Sequence, residues 1–216
     1  MRVDMHIHTW ASFDCLTDPE VMLRVATARG IQRVCVTDHN EIDAALRLRD
    51  RHPDRVIVGE EVKTAERVDV IGLFIEEKIP KGTPALETCE RIRAQGGLVY
   101  VPHPFVGGKG GAGRILLTIG ELVHVIEGFN ARVHQPKHNE RAMLWARNAN
   151  VPVGAGSDAH TLREVGRAFV DVPSFDLDAT SFLDALQHGT IRGRRSRRYV
   201  HVFSTWAKVR KLGERS

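Results

Sequence analysis

The chain of 216 residues is poor in cysteine and aromatic residues and has no long apolar run. Its three cysteines, Cys15, Cys35 and Cys89, are an odd number and too far apart for a Cys-x-x-Cys site, which argues against a disulfide framework. No stretch approaches the roughly 20 apolar residues of a membrane span, and Asp4 and His6 interrupt the region where a signal peptide would be apolar. We therefore expect a cytoplasmic protein with no membrane partner.

Composition and charge indicate one globular domain with a basic end. The apolar share is 42% and the charged share 27%, and no Pro/Gly/Ser linker divides the chain, so we expect one domain over residues 1–193 and a basic tail over residues 194–216. Residues 192–216 hold nine Lys/Arg against one Asp/Glu, whereas the rest of the chain holds 22 against 26. We interpret the tail as a solvated terminal segment, and contact with nucleic-acid phosphates is the alternative.

Apolar runs and helical patterns alternate along the sequence. Val3–His8 reads as a strand, and Asp18 followed by Pro19 predicts the cap and first turn of a helix that Gly30 ends. Further strands are predicted over Arg33–Thr37, Val56–Val62, Val68–Ile75, Leu98–Val101, Val125–Phe129 and Val151–Ala155, with helices over Glu41–Arg51 and Ala85–Gln95. This alternation is typical of parallel strands joined by helices, with functional residues gathered at the carboxyl ends of the strands.

Residue types that bind metals follow five of these strands. The sequences are Asp4-Met-His-Ile-His-Thr9, Thr37-Asp-His39, Gly59-Glu-Glu61, Pro102-His-Pro104 and Ser157-Asp-Ala-His160. In a strand, His6 and His8 point to the same side, and neutral imidazole nitrogen is a favoured metal ligand. The pattern predicts a site built from several strand ends.

In this combination and order, the motifs resemble those of the PHP family, named for polymerase and histidinol phosphatase domains, whose members are metal-dependent phosphoesterases. The resemblance covers Val3 to about Gly193. It implies a single α/β domain folded as a distorted seven-stranded (β/α) TIM-like barrel. The sequence pattern is compatible with that barrel, although periodicity alone gives neither the strand number nor the closure.

The resemblance also implies a ligand set for two or three divalent ions, Mn²⁺, Fe²⁺ or Zn²⁺. The matched positions are His6, His8, Asp14, His39, Glu61, Asp69, His103, Asp158 and His160. Glu61, rather than Glu60, falls at the position of the bridging glutamate, because relatives usually show Gly, an apolar residue and then Glu; Glu60 is then expected on the opposite face, since adjacent strand residues cannot share one. Asp69 departs from the pattern, since relatives commonly have His there; an Asp favours Mn²⁺ or Fe²⁺, or leaves two metals instead of three.

Two further carboxylates are expected to support these ligands. Asp4 lies on the same face as His6 and is predicted to accept the free N–H of an imidazole. Asp38 is predicted to support His39, and a helix N-cap is its alternative role. Glu127 and Asn130 are interpreted as supporting or substrate-facing groups, and the loop that carries Asp14 is one residue longer than in many relatives.

The predicted chemistry is hydrolysis of a phosphate ester by a metal-activated water. Glu61, His103, Asp158 and His160 are the predicted catalytic residues, and the last three are equal candidates for protonating the leaving group. Gly107–Gly113 resembles a phosphate cradle but lacks the Gly-Lys-Ser/Thr ending of a nucleotide-binding loop, so an active-site flap or a plain flexible loop is expected. Predicted substrate contacts are Lys109, Arg114, Arg132 and His134, while His52, His124, His138, His188 and His201 are interpreted as structural.

Three functions remain open at the level of sequence. The first is a phosphatase acting on a small phosphorylated metabolite or nucleotide. The second is an exonuclease or phosphodiesterase acting on DNA or RNA ends, for which the basic tail is the only added support. The third is a non-catalytic metal-bound domain that binds a partner, although a nearly complete ligand set argues against it.

Overall fold

The computed structural model describes residues 1–107 and 111–213, in which nine strands and seven α-helices follow one another. The strands are Arg2–Ile7 (β1), Arg33–His39 (β2), Val56–Lys63 (β3), Asp69–Leu73 (β4), Leu98–Val101 (β5), Val125–Asn130 (β6), Val153–Gly156 (β7), Ala168–Asp171 (β8) and Thr190–Gly193 (β9). The helices are Pro19–Ala28 (α1), Asp43–Arg51 (α2), Ala85–Ala94 (α3), Leu116–Ile119 (α4), Pro136–Ala149 (α5), Ala179–Gln187 (α6) and Val200–Gly213 (α7). A 3₁₀ turn, Gly120–Leu122, follows α4.

All described strands form one barrel-shaped sheet in the order β7-β6-β5-β4-β3-β2-β1-β8-β9. The sheet nearly closes, because the amide of His8 donates to the carbonyl of Ala159 (3.0 Å) and the amide of Asp158 donates to that of His6 (2.8 Å). The predicted α/β barrel is therefore confirmed. The described residues form nine strands, two more than the expected seven. The additional strands are β8, which pairs antiparallel with the first residues of β1, and β9, which follows α6 and pairs antiparallel with β8.

One strand departs from the predicted parallel arrangement. Strand β4 runs antiparallel to both β3 and β5, whereas β1, β2 and β3 are parallel neighbours. Only residues 64–68 connect β3 to β4, and a parallel crossover needs a much longer connection. The predicted helix cap is confirmed: the Asp18 carboxylate caps α1 by accepting a hydrogen bond from the amide of Val21 at 3.0 Å.

Two apolar clusters hold the sheet in place. One lies between the sheet and the surrounding helices, and includes Val34, Leu48 and Ile92. The other covers the opposite face of the strands and includes Ile57 and Tyr100. Because alternate strand residues share a face, the second cluster continues towards the carboxyl end of β3 into Glu61.

Within residues 1–107 and 111–213, no helix combines the length and apolar character needed to cross a bilayer. Lys109, a predicted substrate contact, lies outside the described residues.

Candidate metal centre

His6 and His8 lie fully buried at the carboxyl end of β1, with their Nε2 atoms 3.0 Å apart. Nδ1 of His6 lies 3.1 Å from Oε1 of Glu127. Because a carboxylate only accepts hydrogen bonds, this Nδ1 carries the imidazole proton and donates it. Nε2 of His6 is then left with a lone pair directed towards the second imidazole, an arrangement that a cation would stabilise.

Ser12 fixes the second imidazole in the same way. Its hydroxyl donates to Oδ1 of Asp38 (2.6 Å) and accepts from the amide of His39 (3.0 Å). Since its only proton is used, Ser12 accepts from Nδ1 of His8 at 3.0 Å. Nε2 of His8 therefore carries no proton, and its lone pair is available to a metal ion. Asp38 also accepts from the amide and hydroxyl of Thr9, each at 2.6 Å. Asp38 thus supports the site, and the alternative N-cap role is wrong because α2 begins four residues later than His39.

Asp4 does not contact an imidazole, so the prediction that it accepts a ring N–H is wrong. Its carboxylate instead accepts from the amides of Ser157 and Gly166, both at 2.9 Å, and so holds the chain that follows β7. Burial raises the pKa of Asp4 to about 7, although these hydrogen bonds act in the opposite direction. Glu127 takes the predicted role, because it lies across the sheet where the ring edge of His6 points.

Glu61 lies at the centre of the imidazoles. Its Oε2 is 2.9 Å from Nδ1 of His39 and 3.4 Å from Nε2 of both His6 and His8, and its Oε1 is 3.3 Å from Nε2 of His103. Both oxygens are buried and neither makes a hydrogen bond of good geometry. Burial raises the pKa of this carboxyl, but the rings of His39 and His6 outweigh it and hold the pKa well below its usual value.

Glu60 is directed away from these rings, as expected for an adjacent strand residue. Its Oε2 accepts from the amide of Ile79 at 2.8 Å, and burial raises its pKa to about 7. Glu60 therefore supports a neighbouring loop and does not reach the site.

Asp158 and His160, which follow β7, lie beside the side chains that come from the end of β1 and the loop after it. Oδ1 of Asp158 lies 3.4 Å from Nε2 of His8, and Nε2 of His160 lies 3.2 Å from Oδ2 of Asp14. Asp158 and His103 both have positive φ, 51° and 29°, a strained backbone that functional sites often contain. Both side chains line a cavity of about 890 Å³.

Three sets of three side chains bring one ligand atom each to within 4.8 Å of one another. We call these the donor sets, and they are His8/His39/His160, His6/His8/Asp158 and His6/Glu61/His103. Imidazole nitrogens with carboxylate oxygens suit Mn²⁺, Fe²⁺ and Zn²⁺. The oxygens of Glu61, which make no hydrogen bond of good geometry, and the paired Nε2 atoms of His6 and His8 fit a divalent cation, since a cation would bind both kinds of atom.

Asp14 and Asp69, also predicted as ligands, are not members of the donor sets. Asp14 lies beside His39 (3.7 Å) and His160, where a ligand would be expected. The carboxylate of Asp69 forms an ion pair with Lys63, its partner across strands β3 and β4. Burial and the charge of Glu61 raise the pKa of Asp69, so this carboxyl is placed less favourably for charge than its neighbours.

A cavity of about 890 Å³ opens over the donor sets. Of the predicted substrate contacts, Arg132 and His134 line it, whereas Arg114 is exposed and lies away from its walls. Arg132 donates to Nδ1 of His160 at 2.6 Å and forms an ion pair with the buried Glu164 at 3.2 Å. Arg132 is therefore held in place before any ligand arrives.

The basic tail is not the solvated segment that we expected. It forms α7, whose Val200 and Ala207 are buried, and His201, Ser204, Thr205 and Lys208 of this helix line the cavity. His201 and His138 were interpreted as structural, but both line the cavity. The charge pattern of the tail concealed its packing, because its eight basic residues obscure the two small or apolar positions that dock the helix.

Other residues of the site lacked a sequence signal. Ser12 belongs to no recognised motif, and only its hydrogen bond to His8 reveals its role. Lys81 and Lys208 reach the cavity from a loop and from α7, and no spacing relates them to the ligands. Glu164 follows His160 by four residues, which was the one available hint.

Comparison with known proteins identifies the family. A PHP domain matches residues 4–151 and a PHP-associated region matches residues 136–191. The chain belongs to the PHP family. It is thus a hydrolase acting on phosphoester bonds, in a family that is metal-dependent, and the donor sets are the features of this PHP protein that fit such ions.

One relative and two solved structures are similar to this PHP protein in sequence or in fold. The uncharacterized protein MJ0417 of Methanocaldococcus jannaschii is 31% identical over 201 residues, which cover 87% of this chain and 79% of the relative. PsfC from Pseudomonas syringae PB-5123 has a similar fold, with a TM-score of 0.69 and 20% identity over 99% of this chain and 98% of PsfC. A lesion-specific endonuclease from Pyrococcus furiosus shares the fold with a TM-score of 0.65 and 16% identity, covering 88% of this chain and 58% of the endonuclease.

Proposed function

We propose that this PHP protein is a phosphatase that hydrolyses the phosphate monoester of a small phosphorylated metabolite or nucleotide and releases inorganic phosphate. It would use two or three divalent ions, Mn²⁺, Fe²⁺ or Zn²⁺. The observation that carries the proposal is the position of Glu61, a buried carboxylate surrounded by four imidazoles at the base of a cavity of about 890 Å³. That volume is typical of a site for a small molecule.

The residues present determine where the ions would be held. His6 and His8 each belong to two of the three donor sets, so the sets overlap; because a neutral imidazole protonated at Nδ1 has one lone pair, each ring would bind only one of the ions. Glu61 would lie between them and offset their mutual repulsion. When bound, the divalent ions would lower the pKa of a water ligand and polarise the phosphate oxygens.

The chain itself supplies orientation and protons. Glu127 and Ser12 keep the protons of His6 and His8 on Nδ1, so both rings present Nε2 to Glu61. Arg132 brings a fixed positive charge beside Asp158 (3.9 Å), where the phosphate would lie. One of His103, Asp158 and His160 would protonate the leaving oxygen, since each lines the cavity.

A test of the proposal is hydrolysis of an aryl phosphate monoester beside the matching diester, after the metals are stripped and Mn²⁺ is added. We expect monoester turnover in the wild type, its loss in His8→Ala, and its retention in His188→Ala, a change at an exposed histidine far from the donor sets. Turnover of the diester alone would favour action on nucleic-acid ends. Stoichiometric metal with no turnover of either ester would favour the non-catalytic binding domain.

A further inference from the structure

The C-terminal helix α7 is attached to the loops that carry the metal centre. The guanidinium of Arg132 donates to the hydroxyl of Ser204 at 2.9 Å, and Nε2 of His134 lies 2.8 Å from Nε2 of His201. Near the other end of the helix, the ammonium of Lys211 donates to the carbonyl of Ser12 at 2.6 Å. The helix therefore spans the cavity from the loop after β6 to the loop after β1, and forms one of its walls.

The basic side chains that line the cavity differ in how they are paired. Lys63 is neutralised by Asp69, and Arg132 by Glu164. Among the described residues, no acidic side chain forms an ion pair with Lys81 or Lys208. Lys208 lies over the ring of Phe13, with its Nζ 5.3 Å from the ring centroid. Two positive charges thus face the cavity without a carboxylate partner.

These charges come from segments other than those that carry the donor sets. Lys208 belongs to α7 and Lys81 to the segment between β4 and α3, and Lys208 lies over Phe13, whose ring is 5.0 Å from that of His39. An 890 Å³ cavity is larger than one phosphate group requires. A compact ligand with one phosphate at the donor sets would extend towards the lysines.

We infer that α7 is a substrate-binding wall, and that Lys208, together with Lys81, binds a second anionic group of a compact substrate whose scissile phosphate lies at the donor sets. The inference rests on the proposed function for the position of the first phosphate. A second phosphate and a carboxylate share the chemistry that an ammonium recognises, and Lys208 is the specificity-determining residue.

Binding of non-hydrolysable phosphonates to the full-length, Mn²⁺-loaded protein tests this inference by calorimetry. The probes are butylphosphonate, propane-1,3-bisphosphonate and 4-phosphonobutanoate, in which the same phosphonopropyl group carries a methyl group, a second phosphonate or a carboxylate. The variants are Lys208→Gln, Lys208→Arg and the control Lys137→Gln, which removes an exposed charge on α5 outside the cavity. Turnover of the corresponding phosphate esters is measured in parallel.

Two of the probes carry an anionic group at both ends. We expect the wild type to bind one of these two at least about tenfold more tightly than butylphosphonate, as for a charge-assisted contact. The identity of the tighter probe distinguishes a phosphate from a carboxylate. The ratio should fall to about threefold or less in Lys208→Gln and persist in Lys208→Arg and Lys137→Gln. Equal affinity for all three probes in the wild type, or an unchanged ratio in Lys208→Gln, would overturn the inference. Ester turnover with equal affinity for all probes would support the proposed function and contradict the inference about Lys208. Tighter binding of a probe with two anionic groups, without turnover of any ester, would contradict only the proposed function.

Discussion

The hydroxyl of Ser12 lies 3.0 Å from Nδ1 of His8 and sets the tautomer in which that imidazole presents Nε2 to Glu61. The same hydroxyl connects the ring to the buried carboxylate of Asp38, so the orientation of a predicted ligand depends on a residue outside every recognised motif. Supporting contacts of this kind commonly determine metal affinity almost as strongly as the ligands do.

Replacing Ser12 by alanine tests that relationship. We expect Ser12→Ala to weaken Mn²⁺ binding by about 10–100-fold, because His8 loses the acceptor that fixes its proton. The measurement is competition with a chelator, and Ser174→Ala, at an exposed loop position, is the matched control. Equal metal affinity in the two variants would show that the hydroxyl does not orient the ring.

Glu127 provides a second test of the supporting contacts. Its carboxylate accepts from Nδ1 of His6 (3.1 Å), from the amide of His103 (2.8 Å) and from Nδ2 of Asn130 (2.9 Å). Glu127→Gln keeps the size but turns an NH₂ group towards at least one of these donors. We expect about 1–3 kcal/mol lower free energy of unfolding in urea, with weaker metal binding. Unchanged stability and metal affinity in Glu127→Gln would show that Glu127 does not act as a carboxylate that only accepts hydrogen bonds.

The close approach of β7 to β1 leads to a prediction about Gly156. An added Cβ there would lie 2.2 Å from Cβ of His6 and 2.7 Å from Oε1 of Glu127. We expect Gly156→Ala to lower the free energy of unfolding by about 1–3 kcal/mol or more, as overpacking does. Gly107→Ala is the control, since no described atom lies within 4 Å of its added Cβ. Equal urea midpoints for the two variants would contradict the packing around His6.

The three cysteines should be inert in the folded protein. All are buried, and burial raises the pKa of Cys15 and of Cys89 to about 12 and that of Cys35 well above its usual value. Because only the thiolate reacts, raised pKa values mean that almost none is present at pH 8. Ellman's reagent should label no thiol in native protein and three after unfolding. Rapid labelling of the native protein would show that at least one cysteine is accessible.

Much of the fold follows from local signals, and the exceptions have physical causes. The cap at Asp18 and the alternating pattern around Glu61 are decided by neighbouring residues, so the sequence predicts both. The antiparallel β4 depends on a connection too short for a crossover, and the position of β8 depends on pairing of Arg2 with Asp171, far away in the sequence. Such distant pairing leaves no periodic signal in one sequence.

The candidate site shows the same division. Residues in strand-end motifs, such as His6 and Asp158, were recognisable because metal binding restricts residue type and spacing. Ser12 and Lys208 reach the site through tertiary packing, which a serine in a loop or a lysine in a basic tail does not reveal. Asp69 was chosen by its position in the resemblance, and its ion pair with Lys63 became visible only in three dimensions.

The most direct test of the central claim is the metal content of the purified protein, measured by mass spectrometry together with Mn²⁺-dependent monoester turnover, in the wild type and in Glu61→Gln. Glutamine keeps the shape of the side chain that lies among four imidazoles but removes the charge that would hold neighbouring ions together. We predict two or three divalent ions per chain in the wild type, and fewer ions with lost turnover in Glu61→Gln. A wild type that binds no ion after metal addition, or a variant with the same ions and the same turnover, would contradict the account.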